Sequence, residues 1–359
     1  METKNLDTIL KEFIDILPER QREVVEKRYG LHGEKPMTLE AIGQEKGLTR
    51  ERIRQIEEAA LETLKKNLNE LNDLIERIKY QLELLGGIRR EQQLLEEAPV
   101  LLTPDPVELW RSKAVRERWQ NNVNFLLDIS PDFFYFFEKQ DIYSNWYLRE
   151  EFLKKAINIY KFVEHELKIV KEPLSLDNYQ LLLRKTMKEF RVHNENTLIS
   201  YLDVSKKFSF NPFGEFGLID WELINPKNVK AKAKLILRHA HRPMSYQEIT
   251  KAINELNFDG KHASINTLHN ELIANDEFVL VGRGLYALRE WGYRPGTTKD
   301  IIISILAKKP MTYREILEEV KKQRLVKDAT VLINLQDKKT FKKLPDRRYC
   351  LIQSANKKN

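Results

Sequence analysis

Residues 38–65 read TLEAIGQEKGLTRERIRQIEEAALETLK, and the pattern of this stretch is the strongest indication of how the N-terminal part of the chain folds. Thr38 is placed to cap a short helix, Gly47 to supply a tight turn, and Thr49 to cap a second helix. Two capped helices joined by a glycine turn predict a helix-turn-helix.

The second of these helices has two chemically different faces. At about 100° per residue, Ile53, Ile56 and Ala60 share one arc, which predicts a buried face. The opposite arc carries charged and amide side chains: Arg50, Glu51, Arg54, Gln55 and Glu58. Guanidinium, carboxylate and amide groups pair with base edges when a helix enters the major groove of DNA. By pattern alone, a solvated helix face explains the same residues, so both interpretations stay open.

Four stretches surround this pair of helices: LPERQREV at 17–24, RYGL at 28–31, TLEAIG at 38–43 and LTRERIRQIE at 48–57. Together they resemble region four of bacterial sigma-70 family factors over about residues 13–66. The resemblance implies that the helix starting at Thr49 binds a minus-35 promoter element. The base-reading positions of the family fall on Arg50, Glu51, Arg54 and Gln55, and we expect backbone contacts from Thr38, Thr49 and Arg52.

The same resemblance implies two partners, double-stranded promoter DNA and RNA polymerase. In the family, the helix around 18–29 grips the flap of the polymerase β subunit, so we assign polymerase contacts to Pro18, Arg22, Val25 and Tyr29. Two departures limit the implied role. Residues 1–90 hold 17 basic and 18 acidic side chains, so the segment alone is expected to bind DNA weakly. The chain also contains no stretch resembling the sigma region that melts the minus-10 element.

A leucine-rich seam continues the second helix. Its apolar residues follow a 3-4 spacing from Leu61 to Leu85: Leu61, Leu64, Leu68, Leu71, Ile75, Ile78, Leu82 and Leu85. Such a seam predicts one extended helix over 50–86 whose apolar side needs a cover. A homodimer through Leu61–Leu85 and packing against another helix of the same chain are both open.

Residues 87–108 contain three prolines and are interpreted as a linker. Residues 109–170 are predicted to be helical, with Ser130-Pro131 as a helix start. This region is rich in aromatic side chains, among them Trp110 and the run from Phe133 to Phe137. We expect these side chains to form a core rather than to stack on bases.

The C-terminal half repeats one plan three times. Each copy has a Pro followed at the second position by Ser or Thr, then a Thr, then a Phe: Pro173, Thr197 and Phe208; Pro243, Thr267 and Phe278; Pro310, Thr330 and Phe341. The landmarks predict helix, capped helix, helix and two-stranded hairpin, which is a winged helix. We place copy 1 at 171–222, copy 2 at 229–291 and copy 3 at 297–352, followed by a basic tail at 353–359.

Copy 2 contains the stretches LIL at 235–237, PMSYQEI at 243–249 and GLYAL at 284–288. These resemble the HARE-type helix-turn-helix domain, a family that includes the amino-terminal domain of the RNA polymerase delta subunit. The resemblance implies work on DNA or on polymerase without deciding between them. The fold class expected for the whole chain is mainly α: an N-terminal helix-turn-helix with a long heptad helix, a helical middle and three tandem winged-helix units.

Positive charge is concentrated at the C-terminal end. Residues 295–359 hold 16 Lys and Arg against 7 Asp and Glu, an excess larger than the +7 of the whole chain. In copy 3 the basic side chains crowd the predicted hairpin: Lys338, Lys339, Lys342, Lys343, Arg347 and Arg348. We expect these, with Arg283 at the hairpin tip of copy 2, to contact DNA phosphates; a solubilising face is the alternative. Copy 1, with Glu215 and Asp220 in its hairpin region, is interpreted as a structural or protein-contact element.

The remaining residue patterns favour a binding protein over an enzyme. Cys350 is the only cysteine, and the seven histidines lack metal-ligand spacing. No phosphate-binding glycine loop or nucleophile elbow occurs. We therefore expect no catalytic residues, metal, cofactor or small-molecule substrate. The lack of a long apolar run and of an apolar N-terminal signal predicts no membrane association and a cytoplasmic, nucleoid-associated location. The promoter sequence and the sign of regulation are not encoded in these patterns.

Overall fold

The computed structural model describes residues 6–103, 107 and 112–352. The chain divides into two compact units, Met1–Phe208 and Ser209–Asn359. The described residues contain 16 α-helices and 11 short β-strands. The expectation of a mainly α fold with small antiparallel sheets is confirmed.

The described part of the first unit is built mostly of helices. They are α1 (Leu6–Ile14), α2 (Glu19–Tyr29), α3 (Leu39–Lys46), α4 (Arg50–Lys65), α5 (Asn72–Leu84), α6 (Glu91–Leu102), α7 (Lys113–Ile129), α8 (Glu150–Val170), α9 (Leu176–Phe190) and α10 (Glu195–Asp203). One sheet, with the strand order β1-β3-β2, is formed by β1 (Ile88–Arg90), β2 (Phe134–Phe136) and β3 (Asn145–Tyr147).

The predicted helix-turn-helix is α3 and α4. The hydroxyl of Thr38 accepts a hydrogen bond from the backbone N–H of Ala41 at 3.2 Å, and Thr49 caps α4 in the same way. Gly47 ends α3 in the left-handed conformation at φ +66°, which glycine adopts without steric cost.

The extended helix predicted over 50–86 is wrong. Helix α4 ends at Lys65, a 3-10 turn covers 68–71, and α5 begins at Asn72. Asn67 lies at the break, where its side-chain amide donates to the carbonyl of Thr63 at 3.0 Å. A local bond of this kind competes with the helical backbone pattern and explains the interruption.

The apolar seam is nevertheless buried, and its cover comes from the same chain. Leu71, Ile75 and Ile78 are at most 4% exposed and share one core cluster with Leu94 of α6 and Trp119 of α7. The surface that a homodimer through Leu61–Leu85 requires is therefore already covered. The alternative of packing against other helices of this chain is the one observed.

The linker predicted at 87–108 is also wrong where the structure describes it. Residues 88–90 form β1 and residues 91–102 form α6, which contains Pro99. Leu94, Ala98 and Leu102 recur every fourth residue and are buried, so tertiary packing of this face outweighs the proline. Residues 104–106 and 108–111, including Trp110, lie outside the described residues.

The middle segment is not helical throughout. Ser130-Pro131 does not start a helix; Ser130 follows the end of α7, and β2 begins at Phe134. Aromatic residues favour a pleated strand, and alternation buries Phe133 while leaving Phe134 exposed. In the sheet, Tyr135 is paired with Trp146 of the central strand. The aromatic residues thus contribute mainly to packing.

Helix α10, which belongs to predicted copy 1, is hydrogen-bonded to the segment from the end of α5 to the start of β1. The hydroxyl of Thr197 donates to the carbonyl of Leu84 at 3.0 Å, and that of Ser200 donates to Ile88 at 2.6 Å. Ser200 is buried and Thr197 is half-buried, so this side of α10 packs within the first unit. The boundary between the compact units falls after 208, within the range predicted for copy 1.

Helices and short strands alternate through the rest of the described chain. The helices are α11 (Val229–Ala240), α12 (Tyr246–Leu256), α13 (Ile265–Ala274), α14 (Thr298–Leu306), α15 (Tyr313–Gln323) and α16 (Asp328–Leu335). The strands are β4 (Phe208–Phe210), β5 (Phe216–Leu218), β6 (Met244–Ser245), β7 (Phe278–Gly282), β8 (Leu285–Leu288), β9 (Met311–Thr312), β10 (Phe341–Lys343) and β11 (Arg348–Leu351). The sheet orders are β4-β5, β6-β8-β7 and β10-β11-β9.

The repeated landmarks have the same local structure in each copy. Ser175, Ser245 and Thr312 cap α9, α12 and α15, as predicted, and the last two form capping boxes with Glu248 and Glu315. The three landmark phenylalanines each begin a strand: Phe208, Phe278 and Phe341. Copies 2 and 3 have separate apolar cores. The tail at 353–359 lies outside the described residues.

Candidate nucleic-acid interface

The start of α4 is held in place by a small apolar core. Val24 of α2, Ile42 of α3 and Ile53 of α4 are fully buried together. A Cβ on Gly43 would lie 2.7 Å from the carbonyl oxygen of Leu48, so the turn depends on glycine at that position. This packing leaves the opposite side of α4 facing solvent.

Every side chain predicted to read bases lies on that solvent face. Arg50, Glu51, Arg54 and Gln55 are all exposed, and so is Arg52. The hydroxyls of Thr38 and Thr49 instead accept backbone N–H groups at their own helix starts. The face measures two turns of α4, and its first residues are the part of such a helix that approaches base edges.

The guanidinium of Arg54 is bound on this face by two carboxylates. Its Nη2 lies 2.9 Å from Glu51 Oε1, and its Nη1 lies 3.1 Å from Glu58 Oε2. The hydrogen bond from Arg54 holds the pKa of Glu51 below its ordinary value, and the same carboxylate raises the pKa of Arg54. Both partners are exposed, so these ion pairs are weak and can exchange for a DNA ligand.

Glu58 lies on the predicted exposed arc, whose groups the sequence pattern matched to base edges, but it was not among the four base-reading positions. Its pairing with Arg54 was not predicted. Glu58 lies four residues after Arg54, which is the spacing of an ion pair on a helix. This spacing is the sequence signal from which the pair could have been predicted. Arg52 similarly donates to Gln55 at 3.0 Å. On this exposed face of α4, Arg52 and Arg54 each have an acceptor close by, whereas Arg50 has no ion pair within the described residues.

The residues predicted to contact polymerase do not lie on one surface. Pro18 is exposed at the start of α2, and Arg22 forms an ion pair with Asp15 at 3.1 Å. Val25 is fully buried and Tyr29 is 8% exposed. The prediction that Val25 and Tyr29 form a contact surface is wrong for this structure, because other residues of the chain cover them.

Helix α7 supplies the cover over Tyr29. The ring of Phe125 packs edge-on at 5.0 Å between centroids, and the hydroxyl of Tyr29 donates to the carboxylate of Asp128. Burial is the main reason that the pKa of Tyr29 rises above its ordinary value, and the Asp128 charge adds to it. Sequence alone carries no signal for a pair 99 residues apart.

The basic side chains of copy 3 surround its hairpin and are all exposed: Lys338, Lys339, Lys342, Lys343, Arg347 and Arg348. Arg348 is paired with Asp346 at 2.5 Å. Lys343 lies 5.7 Å from the ring centroid of Tyr349. Lys338 and Lys342 have no ion pair within the described residues, which leaves their charge available to an anionic ligand.

Arg283 lies at the predicted hairpin tip of copy 2 and is exposed. The strand beside it is not free: the backbone N–H of Leu325 in copy 3 donates to the carbonyl of Val281 at 2.9 Å. Gly282, which separates Val281 from Arg283 in the chain, is buried. Arg283 therefore extends from a hairpin that is packed against the next copy.

The described residues contain no group of three or more His, Cys, Asp or Glu side chains arranged to hold a metal ion. Among the same residues, no helix is both long and apolar enough to span a bilayer.

Two segments match known protein families. Residues 13–66 match the family described as sigma-70, region 4. Residues 228–291 match the HARE-type family, described as a helix-turn-helix domain of ASXL and restriction endonuclease proteins. Both resemblances seen in the sequence are confirmed. Both families are DNA-binding domains.

Curated relatives align over the N-terminal region. An RNA polymerase sigma factor RpoS of Coxiella burnetii is 45% identical over 65 residues, 18% of each chain. The principal sigma factor HrdC of Streptomyces coelicolor is 41% identical over 64 residues, 18% of this chain and 19% of the relative. The chloroplastic sigma factor sigF of Arabidopsis thaliana is 37% identical over 60 residues, 17% of this chain and 11% of the relative. The chain therefore covers less than a fifth of each relative's length.

Proposed function

We propose that this protein is a DNA-binding transcription regulator that engages bacterial RNA polymerase and reads a minus-35-like promoter element through α4. The observation that carries the proposal is the exposed start of α4, where Arg50, Glu51, Arg54 and Gln55 lie on one face of a helix-turn-helix. The family match over 13–66 supports the same role. The proposed role is promoter reading, not promoter melting.

Copy 3 is proposed to hold DNA phosphates beside the sequence that α4 reads. Its element order, three helices with a three-stranded sheet, supports a winged helix whose hairpin carries the contacts. Lys338, Lys339, Lys342, Lys343, Arg347 and Arg348 are exposed around that hairpin. Several weak sites on one chain raise each other's effective concentration, so the full chain binds DNA better than any part.

Polymerase binding is proposed through the exposed start of α2, where Pro18 and Arg22 lie near the surface. We do not assign Val25 and Tyr29 to this contact. A pull-down of core RNA polymerase by the full chain tests it, with Arg22→Glu expected to reduce recovery and Arg184→Glu on α9 as the control. Equal recovery by both variants contradicts the assignment.

The reading role is tested by in vitro selection from randomised duplexes with the full-length protein, followed by fluorescence anisotropy. We expect a shared hexamer to be enriched. Arg54→Ala should reduce the preference for selected over scrambled duplex by about tenfold, because each base contact discriminates by roughly 1–3 kcal/mol. Arg184→Ala, an exposed arginine on α9, is the matched control. No enriched hexamer, or an unchanged preference in Arg54→Ala, overturns promoter reading.

The phosphate role has a different signature. Replacing Lys338, Lys342 and Lys343 by Ala should weaken binding to selected and scrambled duplexes alike and reduce the salt slope by about three. Replacing the exposed Lys11, Lys161 and Lys188 of the first unit by Ala is the charge-matched control. A sequence-dependent loss in the triple variant would contradict a purely backbone contact.

A second candidate function is a polymerase accessory protein that works through protein contacts without promoter reading. One observation favours it: the third helices of copies 2 and 3 expose aliphatic side chains instead of basic ones. Ile273 of α13 and Ile333 of α16 are each 65% exposed. Under this alternative the isolated protein binds polymerase but shows no footprint on DNA.

A further inference from the structure

A surface cleft of about 300 Å³ lies in the first unit between α2, α7 and the sheet β1-β3-β2. Its walls combine aromatic rings with both signs of charge: Tyr135, Phe137, Trp146, Glu91, Asp128 and Arg28. None of these side chains belongs to the reading face of α4 or to the basic hairpin of copy 3. The cleft has the volume of a small-ligand site.

Three aromatic rings form one wall. The ring centroid of Tyr135 lies 4.9 Å from that of Phe137 and 4.8 Å from that of Trp146. Phe137 is 75% exposed, which is unusual for a phenylalanine beside other aromatic rings. An open phenyl face at the edge of such a cluster provides a surface on which a flat ring can stack.

Two carboxylates present acceptors to the cleft. Glu91 accepts from the hydroxyl of Tyr135 at 2.9 Å and from that of Ser144 at 2.6 Å. Asp128 accepts from the hydroxyl of Tyr29. Neither carboxylate forms an ion pair within the described residues. Since an ionised carboxylate has about four acceptor positions, both retain capacity for N–H donors of a ligand.

Trp146 contributes ring surface to the same wall. It is 4% exposed, and its indole Nε1 is buried without a hydrogen-bond acceptor among the described residues, so the ring and not the N–H is presented to a ligand. Arg28 also lines the cleft, but its guanidinium is bonded to Glu57 at 3.1 Å.

We propose that this cleft binds a guanine-type nucleobase. Such a base is planar, so it can stack on the open ring of Phe137, and it presents adjacent ring and amino N–H groups to a carboxylate. A polyamine has no planar ring for the aromatic wall. An adenine base lacks the adjacent pair of donors. The base can belong to a free nucleotide or to an unpaired position in a single strand, and the chemistry is the same.

The binding test uses the full-length protein and isothermal titration calorimetry with guanosine monophosphate, adenosine monophosphate and spermidine. We expect saturable binding of the guanine nucleotide and at least about tenfold weaker binding of the adenine nucleotide, because a site built for hydrogen bonds rejects a ligand that leaves them unmade. Equal binding of both nucleotides, tighter binding of spermidine, or no saturable binding of any probe overturns the proposal.

The source of the base is resolved with single-stranded pentathymidine carrying one central guanine, and the same strand with a central adenine. Tighter binding of the guanine strand than of the free nucleotide identifies single-stranded nucleic acid as the ligand. The reverse order identifies a nucleotide. If guanine is preferred over adenine neither in the strands nor in the free nucleotides, the proposed site is contradicted. Because no step uses α4, failure here leaves promoter reading by α4 untouched, and the reverse also holds.

Variants connect the binding to the cleft. Phe137→Ala removes an exposed ring and should weaken the guanine probe by about tenfold through lost stacking. Phe134→Ala is the matched control, since Phe134 is also exposed and stacks instead on Tyr147 at 5.7 Å. Glu91→Gln should weaken binding of the guanine nucleotide and reduce the ratio of its affinity to that of the adenine nucleotide. If Glu91→Gln lowers the unfolding midpoint, the test rests on comparing the guanine affinities of Phe137→Ala and Phe134→Ala. Equal losses of guanine affinity in these two variants contradict the proposal.

Discussion

The hydroxyl of Tyr29 at the end of α2 donates a hydrogen bond to the carboxylate of Asp128 near the end of α7. The two residues are separated by 99 positions in the chain. Their contact joins the sigma-like segment to the middle of the first unit, together with the packing of Tyr29 on Phe125. The helix-turn-helix is therefore part of a larger folded body, and its α2 face is not free.

Removing this bond should lower the stability of the first unit. Tyr29→Phe keeps the ring packing and removes the hydroxyl, so we expect the free energy of unfolding to fall by about 1 kcal/mol. Urea denaturation followed by far-UV circular dichroism measures it. Tyr80→Phe is the control, because Tyr80 is 64% exposed. An equal, negligible effect of both variants would show that the bond contributes nothing measurable.

If α4 reads DNA as proposed, the carboxylate of Glu58 competes with DNA for Arg54. Glu58→Gln removes one ion pair of Arg54 and one negative charge from the reading face, so DNA affinity should rise by about two- to fivefold. Fluorescence anisotropy on one duplex at fixed salt measures the change. Glu62→Gln, one turn further along α4 and also exposed, is the control. A loss of affinity in Glu58→Gln would show instead that Glu58 positions Arg54 for binding.

The buried seam predicts a stability defect without a change of oligomeric state. Ile78 is fully buried against helices of its own chain, so Ile78→Ala should cost roughly 2–5 kcal/mol of unfolding free energy. Light scattering with size-exclusion chromatography should give the same mass for the variant and the parent chain. A parent dimer that Ile78→Ala converts to a monomer would contradict the covered seam.

Stability should fall in acid partly through Asp337. Its hydrogen bond with Lys299 is the main reason that its pKa drops from 3.8 to about 2, and bonds from the Lys339 backbone and Thr340 add to this. A carboxyl whose pKa is lower in the folded state contributes stability above about pH 4 and loses it as the pH falls toward about 2. The difference in unfolding free energy between Asp337→Asn and the parent protein should therefore become smaller as the pH falls from about 4 to about 2. Denaturation at a series of pH values measures this difference. A difference that does not change with pH would contradict the lowered pKa.

Local chemistry explains the features that were predictable from sequence. The caps Thr38 and Thr49, the turn at Gly47 and the repeated strand starts at Phe208, Phe278 and Phe341 all depend on neighbouring residues, and the structure has each of them. The exposed arc of α4 follows from helical periodicity in the same way. Repetition strengthened the C-terminal prediction, because three copies carry the same landmarks.

The failures share one cause, which is that the decisive contact is remote in sequence. Heptad spacing showed that Leu71 and Ile78 need a cover but not that α6 and α7 provide it. Three prolines suggested a linker, whereas burial of Leu94 and its neighbours makes 91–102 a helix. Val25 and Tyr29 belong to an amphipathic helix whose partner surface carries no local signature.

The helix-turn-helix, the exposed polar face of α4, the triple repeat and the concentration of positive charge in copy 3 could all be predicted from the sequence alone. These follow from spacing, capping and side-chain type, which act within a few residues. The cover of the seam by helices of the same chain, and that of Tyr29 by α7, became visible only in the tertiary structure. It alone assembled the aromatic cleft from α2, α6, α7 and the sheet, because burial and hydrogen bonding between distant segments depend on how the whole unit packs.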